Sequence, residues 1–284
     1  MGNKVSVVIP TYKRTGERLT KTIQSVLQQT YKNLEIIVVD DNGNPEYSKE
    51  LVNALKMYPE IKYIAHRENR GACEARNTGI LNSEGEFIAF LDDDDTWESN
   101  KIEKQLDKFN KPNIGLVYCG IKYYYEKNDK VEYKSAIKYD DPCRELLMHN
   151  YIGSTSCGIV RKTCAIAVGM FDKNLKSGQD LDFWYRIAEK YEVDCVEECL
   201  LNYTIYTEDT ITSNINNRLE SNLYLKEKYG SRIKHDTELI TIYNLKILKA
   251  YLKLKQPIKA AKHIKKSIIE RELSLKHALQ SILR

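Results

Sequence analysis

Phe87-Ile88-Ala89-Phe90-Leu91-Asp92-Asp93-Asp94-Asp95-Thr96-Trp97 carries an apolar run straight into four consecutive carboxylates. The apolar half predicts a central strand of a parallel sheet, because such strands are covered on both faces and do not alternate. The acidic half predicts that the strand ends at a site. Neighbouring carboxylates ~5 Å apart repel by roughly 3 kcal/mol at an effective dielectric of about 20, so four together call for a compensating cation. In an extended segment alternate side chains share a face, which lets Asp92 and Asp94 reach one ligand while Asp93 and Asp95 point elsewhere. A carboxylate or two plus substrate phosphates is the usual oxygen set for Mg²⁺ or Mn²⁺. Helix capping explains less of the run. Asp95 with Glu98 forms a capping-box pattern, which accounts for a single aspartate.

Upstream, apolar runs alternate with helical patterns. Lys4 to Pro10 reads as a strand ended by Pro10, and Leu19, Ile23, Val26 and Leu27 mark a helix reaching Gln29. Leu34 to Val39 reads as a second strand, closed by the turn signal Asp40-Asp41-Asn42-Gly43-Asn44-Pro45. A helix from Tyr47 to Met57, a strand from Ile61 to Ala65 and a helix from Ala72 to Leu81 follow. This alternation predicts an α/β fold: a mostly parallel sheet flanked by helices, with ligands beyond the carboxyl ends of the strands. Tyr12, Asp40 and Asp92 to Asp95 all fall at such ends, so three polar clusters converge on one edge.

Downstream the pattern changes. After a helix from Glu98 to Phe109, the long strands Ile114 to Tyr125 and Val131 to Ile137 read as a hairpin. A short helix from Cys143 to His149, a strand-like stretch from Tyr151 to Val160, a helix containing Gln179 to Arg186 and a strand from Val193 to Tyr206 complete a mixed half. Antiparallel strands are expected there, carrying the rest of the site. From Asn214 the chain reads as helical, with Pro257 opening a fresh helix after Gln256, the size of a single tetratricopeptide-like hairpin.

With 284 residues, 42% hydrophobic and 30% charged, the composition is that of a globular protein rather than a disordered or fibrous one. Seven cysteines without a Cys-x-x-Cys pair and five scattered histidines argue against structural zinc and for reduced thiols. No signal pattern and no run of roughly 20 apolar residues is present, which sets the expectation of a cytoplasmic protein. Charge is uneven: residues 241–284 hold eleven Lys or Arg against two Glu, while the whole chain carries only +4. Lys246, Lys249, Lys253, Lys255, Lys259, Lys262, Lys265 and Lys266 flank apolar positions. Two readings stand side by side: peripheral contact with the anionic inner face of the plasma membrane, or a solvated helical face whose apolar stripe packs on the catalytic domain or on a second copy in a homodimer. Nucleic acid is disfavoured, since no aromatic-interleaved basic groove accompanies the charge.

Four linked motifs, Val7-Val8-Ile9-Pro10-Thr11-Tyr12, Glu35 to Asp41, Asn69 to Ile80 and Phe90 to Asp95, resemble in order and spacing the signatures of family 2 glycosyltransferases with the GT-A (Rossmann-like) fold. Gly169-Met170-Phe171-Asp172 and Gln179-Asp180-Leu181-Asp182 continue the resemblance, which covers about residues 4 to 210. It implies a GT-A domain over 1–210, with 1–110 its nucleotide-binding half and 111–210 its acceptor-binding half, and leaves 211–284 as a C-terminal α-helical extension. It further implies a nucleotide-sugar donor, UDP-linked, and a glycan or lipid-linked acceptor in cell-surface polysaccharide synthesis. By the same resemblance Pro10 and Tyr12 belong to the donor-binding motif, with Tyr12 stacking on the uracil. Asp40 accepts a hydrogen bond from the base, Arg76 lies near the donor phosphates, Asp93 contacts the ribose, and Asp94 holds Mn²⁺ or Mg²⁺ with Asp92 beside it. Asp180 matches the general base, with Asp182 as its substitute and a substrate contact. Such a base facing the leaving group predicts a single displacement with inversion. Each of these residues also has a plainer reading as a loop, turn or helix-end residue.

Two departures from the family pattern stand out. Tyr203-Thr204-Ile205-Tyr206 lacks the Arg and His often found there, and Asn42 replaces a common glycine. A nucleotidyltransferase is the enzymatic rival, and a non-catalytic nucleotide-sugar binder is the rival from another class. The first would need a Gly- and Lys/Arg-rich triphosphate loop after the first strand, and Thr11 to Gly16 is poor in glycine.

Overall fold

The structure, a computed structural model, describes residues 3–13, 17–206 and 214–269. The chain divides into two compact units, Met1–Lys173 with Asp180–Thr207, and Asn174–Gln179 with Glu208–Arg284. The expected boundary at 210/211 lies outside the described residues.

The first unit opens with β1 (Val5–Thr11), α1 (Glu17–Leu27), β2 (Leu34–Asp40), α2 (Pro45–Leu55), β3 (Lys62–Ala65), α3 (Ala72–Asn82) and β4 (Phe87–Phe90). These strands lie parallel in the order β3-β2-β1-β4. Strand order reverses at β1, so the crevice for a ligand opens between the carboxyl ends of β1 and β4. The β1 and β4 side chains are all buried, as expected for strands covered on both faces. Ile37 and Val39 of β2 pack with Ala75 of α3 and with Ile64.

Pro10 does not end β1; it sits inside it, opposite Val39. Parallel strands bond alternately to either side, and Val8 bonds toward β4 through its carbonyl and the Leu91 N–H, 3.0 Å. Pro10 therefore faces the same side, just past the last β4 pair at Val8 and Phe90, where no ladder bond is required of it.

The second half contains β5 (Thr96–Trp97), α4 (Lys101–Asp107), β6 (Ile114–Tyr125), β7 (Lys130–Lys134), α5 (Pro142–Met148), β8 (Gly158–Arg161), α6 (Lys162–Ala167), α7 (Gln179–Ala188) and β9 (Glu192–Ile205). β8 joins β4 and β6 antiparallel, β7 pairs with β6 antiparallel, and β9 runs parallel to β6 before pairing antiparallel with β5. Only the end of the expected 151–160 strand is extended. Thr155–Cys157 forms a 3-10 turn, because Ser154 caps it by accepting a bond from the Ser156 N–H, 3.1 Å. Asp95 is not a helix cap either. Thr96 and Trp97 pair with Asn202 and Leu201, which delays α4 to Lys101 with Asn100 as its N-cap residue.

The second unit is helical: α8 (Ile215–Lys228), α9 (Gly230–Lys234), α10 (Thr237–Lys253) and α11 (Pro257–Ile269). Asp236 caps α10 by accepting from the Glu238 and Leu239 N–H groups, 2.9 and 3.1 Å. Leu219, Ile247 and Ala250 form its apolar centre, and the buried Asn244 side-chain oxygen accepts from Lys226 and Ser267. Lys246 departs from the basic-surface expectation. It is half-buried, and burial with the nearby Arg218 pulls its pKa down to about 8. The other seven lysines of that series are mostly exposed. Among the described residues no helix is long and apolar enough to cross a membrane.

Candidate active site

The aspartates leave β4 at the switch point and divide by neighbour. Asp92 accepts from the Arg76 guanidinium, 2.6 Å, and from the Thr155 hydroxyl, 3.2 and 3.3 Å. Asp93 accepts from the Thr11 hydroxyl, 2.7 Å, which bridges the ends of β1 and β4. Asp94 is half-buried. Asp95 is buried beneath them, accepts from the Ser156 hydroxyl at 2.6 Å, and burial together with Asp92 pushes its carboxyl well above the usual range. Ser156 also receives the Asp92 N–H, 3.0 Å, while its carbonyl accepts from the Trp97 indole, 2.9 Å. The 3-10 turn thus holds both ends of the run.

Arg76 is buried on α3, with its guanidinium carbon 5.5 Å from the Phe171 ring centroid. Burial opposes its charge, but the Asp92 carboxylate, with smaller help from Cys73 and Asp180, raises its pKa all the same. Asp180 sits in the first turn of α7. Burial raises its pKa, opposed by the Leu181 N–H, Arg76 and Asn150. Arg76 thus feels both Asp92 and Asp180, 88 residues apart in the chain.

Packing explains this convergence. Phe90 lies two residues before Asp92 and Phe183 three after Asp180; their rings meet edge to face, and Phe171 packs on Phe183 with centroids 4.1 Å apart. Asp182 is directed elsewhere. It is fully buried and bonded to the Arg186 Nε and Nη2 at 2.9 and 2.8 Å, and Arg186 in turn donates to the Val168 and Met170 carbonyls.

Around the end of β1, Tyr12 is 46% exposed, and the Lys13 ammonium lies 5.1 Å from its ring centroid. Pro10 is buried, so what it can offer a ligand is its carbonyl, on the side left open beyond β4. Asp40 is 0% exposed, and both its oxygens are engaged: Oδ1 by the Asn42 N–H and side-chain amide, Oδ2 by the Ser48 and Tyr63 hydroxyls. Asn42 thus folds onto Asp40, and the glycine role passes one residue on to Gly43. Its φ is +59°, and a Cβ there would meet the Glu68 and Asn69 backbone at 2.5 to 2.7 Å. Asp41 organises the neighbouring loop, accepting from the Arg70 and Gly71 N–H groups at 2.8 Å and from His66 at 2.7 Å.

Sequence reasoning passed over Thr11, Thr155, Ser156 and Asn150. It gave no role to Tyr123 or Tyr203 either, whose rings meet with centroids 5.7 Å apart. Burial and then Asp95, Asp92 and Asp94 raise the Tyr203 hydroxyl, which places it beside the acidic run. Tyr206, standing where the family often has His, is covered by the Arg18 guanidinium at 3.8 Å.

Among the described residues no group of three or more His, Cys, Asp or Glu side chains could hold a metal by itself. The donor set still fits a hard cation completed by a ligand's oxygens. Arg76 is the guanidinium in contact with the run, and beyond burial the Asp92, Asp94 and Asp93 charges all push the Asp95 carboxyl upward, the mutual repulsion that a cation would relieve.

The profile of Glycosyl transferase family 2 matches residues 6–173. An uncharacterized glycosyltransferase of Rickettsia felis is 32% identical over 207 residues, 69% of this chain and 32% of its own length. A second, from Rickettsia typhi, is 31% identical over 219 residues, 75% of this chain and 67% of its own. The chain thus spans about a third of the length of the first of these curated relatives. Residues 1–349 of Staphylococcus aureus TarS, solved with UDP-GlcNAc, share the fold with a TM-score of 0.62 at 16% identity, covering 94% of this chain and 92% of that one. With a profile matched across more than half its length, the chain belongs to glycosyl transferase family 2.

Proposed function

We propose that this chain transfers a sugar from a nucleotide-sugar, UDP-linked, to a hydroxyl of a glycan or lipid-linked acceptor, by a single displacement with inversion, in cell-surface polysaccharide synthesis. The observation that carries this reading is the packing of Phe90, at the end of the strand that delivers the aspartates, on Phe183 of the helix that opens beside Asp180, with Asp92 bonded to Arg76 and the Arg76 charge acting on Asp180 as well. Asp180 takes the acceptor hydroxyl proton as the oxygen attacks the anomeric carbon. Arg76 keeps its charge and neutralises Asp92 on the leaving-group side. Asp94 would hold Mn²⁺ or Mg²⁺, which when bound stabilises the leaving diphosphate. The exposed Tyr12 ring offers a face for the base, and Asp93, fixed by Thr11, lies where a ribose hydroxyl can donate to it. Asp40 acts through the loop it organises, and a base that bonds to it must displace one of its four donors. Asp182 holds α7 through Arg186. The UDP-GlcNAc bound by TarS makes a UDP-sugar the first donor to try. The exposed lysines of α10 and α11 suit an anionic membrane surface where a lipid-linked acceptor lies.

The test is to compare wild type with Asp180→Asn for UDP binding and for UDP release from UDP-sugars with Mn²⁺. The reading predicts unchanged UDP affinity and a loss of turnover of roughly 100-fold or more. Full turnover by Asp180→Asn contradicts it.

A further inference from the structure

Asp180 is held by a side chain from another part of the chain. Asn150 follows α5 and is half-buried, and its amide nitrogen donates to Asp180 Oδ2 at 2.5 Å. The same nitrogen donates to the Gly153 carbonyl, 2.6 Å, while the amide oxygen accepts the Gly153 N–H, 3.1 Å. These two bonds fix which end of the amide is which. With the ends exchanged, an oxygen would face both a carbonyl and a carboxylate, and the N–H of Gly153 would face an NH₂ group. Gly153 has φ +95°, and a Cβ there would meet Ile121 Cδ1 at 2.6 Å, so the turn requires glycine. The Tyr123 hydroxyl lies 3.9 Å from the same point, which sets the turn against that side chain.

We propose that Asn150 is a positioning residue for the base: held by the Gly153 turn, it engages Oδ2 of Asp180 and, with the Leu181 N–H, sets the orientation in which the carboxylate meets the acceptor hydroxyl. The inference rests on the assignment of Asp180 as base. A carboxylate can rotate about its Cβ–Cγ bond and present either oxygen, and a base must hold its accepting oxygen within hydrogen-bond reach of the proton it takes. Asn150 limits that freedom from outside the helix, with a donor that carries no charge, while the Leu181 N–H does so from within it. Its N–H also favours the ionised carboxylate, partly offsetting the burial that raises the Asp180 pKa. The charged group facing Asp180 from α3 is Arg76, which acts in the same sense; on α7 itself Asp182 and Arg186 neutralise each other. Arg76 answers to Asp92 as well, whereas Asn150 bonds to the base and to its own turn.

Two variants test this on the full chain. Asn150→Ala removes the donor. Asn150→Asp keeps an oxygen for the Gly153 N–H, so the turn can still close, but turns a carboxylate toward Asp180. The first readout needs no substrate: the ¹³C carboxyl resonance of Asp180, assigned by its disappearance in Asp180→Asn, is titrated in each protein. Both variants are expected to raise the pH at which it titrates, Asn150→Asp more than Asn150→Ala. The second readout is UDP release from UDP-GlcNAc and other UDP-sugars with Mn²⁺. There kcat is expected to fall roughly 10- to 100-fold with the donor KM unchanged, and the acid limb of the pH profile to move upward. An Asp180 resonance that titrates alike in wild type and both variants overturns the inference, even where activity falls, since lost folding would explain the fall. Full turnover by Asp180→Asn would instead overturn the base assignment while leaving the effect of Asn150 on the carboxylate intact.

Discussion

Phe90 and Phe183 meet edge to face, with ring centroids 5.9 Å apart and planes at 83°. Phe90 ends the strand that delivers the aspartate run, and Phe183 stands one turn into the helix that delivers Asp180. The contact therefore sets the distance between the two halves of the site. Phe183→Ala should cost about 3–5 kcal/mol of stability, as for other large-to-small changes at a fully buried aromatic. Phe183→Leu, which keeps more of the volume, should cost less stability yet still lower kcat, because α7 is no longer indexed by a ring contact. Urea denaturation and steady-state kinetics on the same preparations read both effects.

Arg76 bonds to Asp92, and its charge also favours the ionised form of Asp180. Arg76→Met removes a hydrogen bond to a charged group, worth about 1.5–3 kcal/mol, and leaves Asp92 without its ion-pair partner. The acid limb of the pH profile should then move upward, because the Asp180 carboxylate has lost a neighbouring positive charge. A fall in Tm with an unmoved acid limb would mean that Arg76 serves the fold alone.

Lys101 opens α4 with 0% exposure; its ammonium has no hydrogen-bond partner among the described residues and lies 4.2 Å from the Trp97 ring centroid. Burial lowers its pKa. A base held below its unfolded pKa makes folding more favourable as pH rises between the two values, so at neutral pH the charge is a cost. Lys101→Met keeps the length and removes the ammonium, and should raise stability at pH 7 by about 1–2 kcal/mol, the lost cation–π contact offsetting part of the gain. The gain should shrink toward high pH, which denaturation curves at two pH values will show.

Asp180 gives a prediction of opposite sign. Its raised folded pKa favours folding fully below the unfolded value, and that advantage is lost as pH rises through the folded one. Asp180→Asn should therefore match wild type in Tm at acid pH and exceed it at neutral pH while losing turnover. In wild type, turnover should fall as pH drops through the same raised pKa, so the acid limb lies above the ordinary aspartate range.

The strands and helices of the first half were legible because each carries a repeated pattern: largely apolar runs for β1, β2 and β4, helical spacing for α1. Ile114 to Tyr125 was read to the residue, since its apolar and aromatic run is long and bounded by a turn. Pro10 and Asp95 were misplaced for a common reason. Each obeys a local rule, strand ending or helix capping, that a tertiary partner overrides: the end of β4 for Pro10, the pairing of Thr96 and Trp97 with β9 for Asp95. Asn150, Thr155 and Ser156 left no signal at all. A side-chain bond from Thr155 to Asp92 spans 63 residues and has no period, and only the folded chain brings its ends together. The acidic run and the Asp180 motif were visible in sequence; the bond from Arg76 to Asp92 was visible only in the structure.

The most direct measurement is the thermal stabilisation of the protein by UDP and a panel of UDP-sugars, with and without Mn²⁺, in wild type and Asp94→Ala. A donor present at about 100 times its Kd stabilises the folded state by about 2.7 kcal/mol, a shift well within reach of a melting curve. The account predicts Mn²⁺-dependent stabilisation of wild type by at least one UDP-sugar and its loss in Asp94→Ala. A wild-type Tm unmoved by every nucleotide tested, or an Asp94→Ala protein that responds as wild type does, would contradict it.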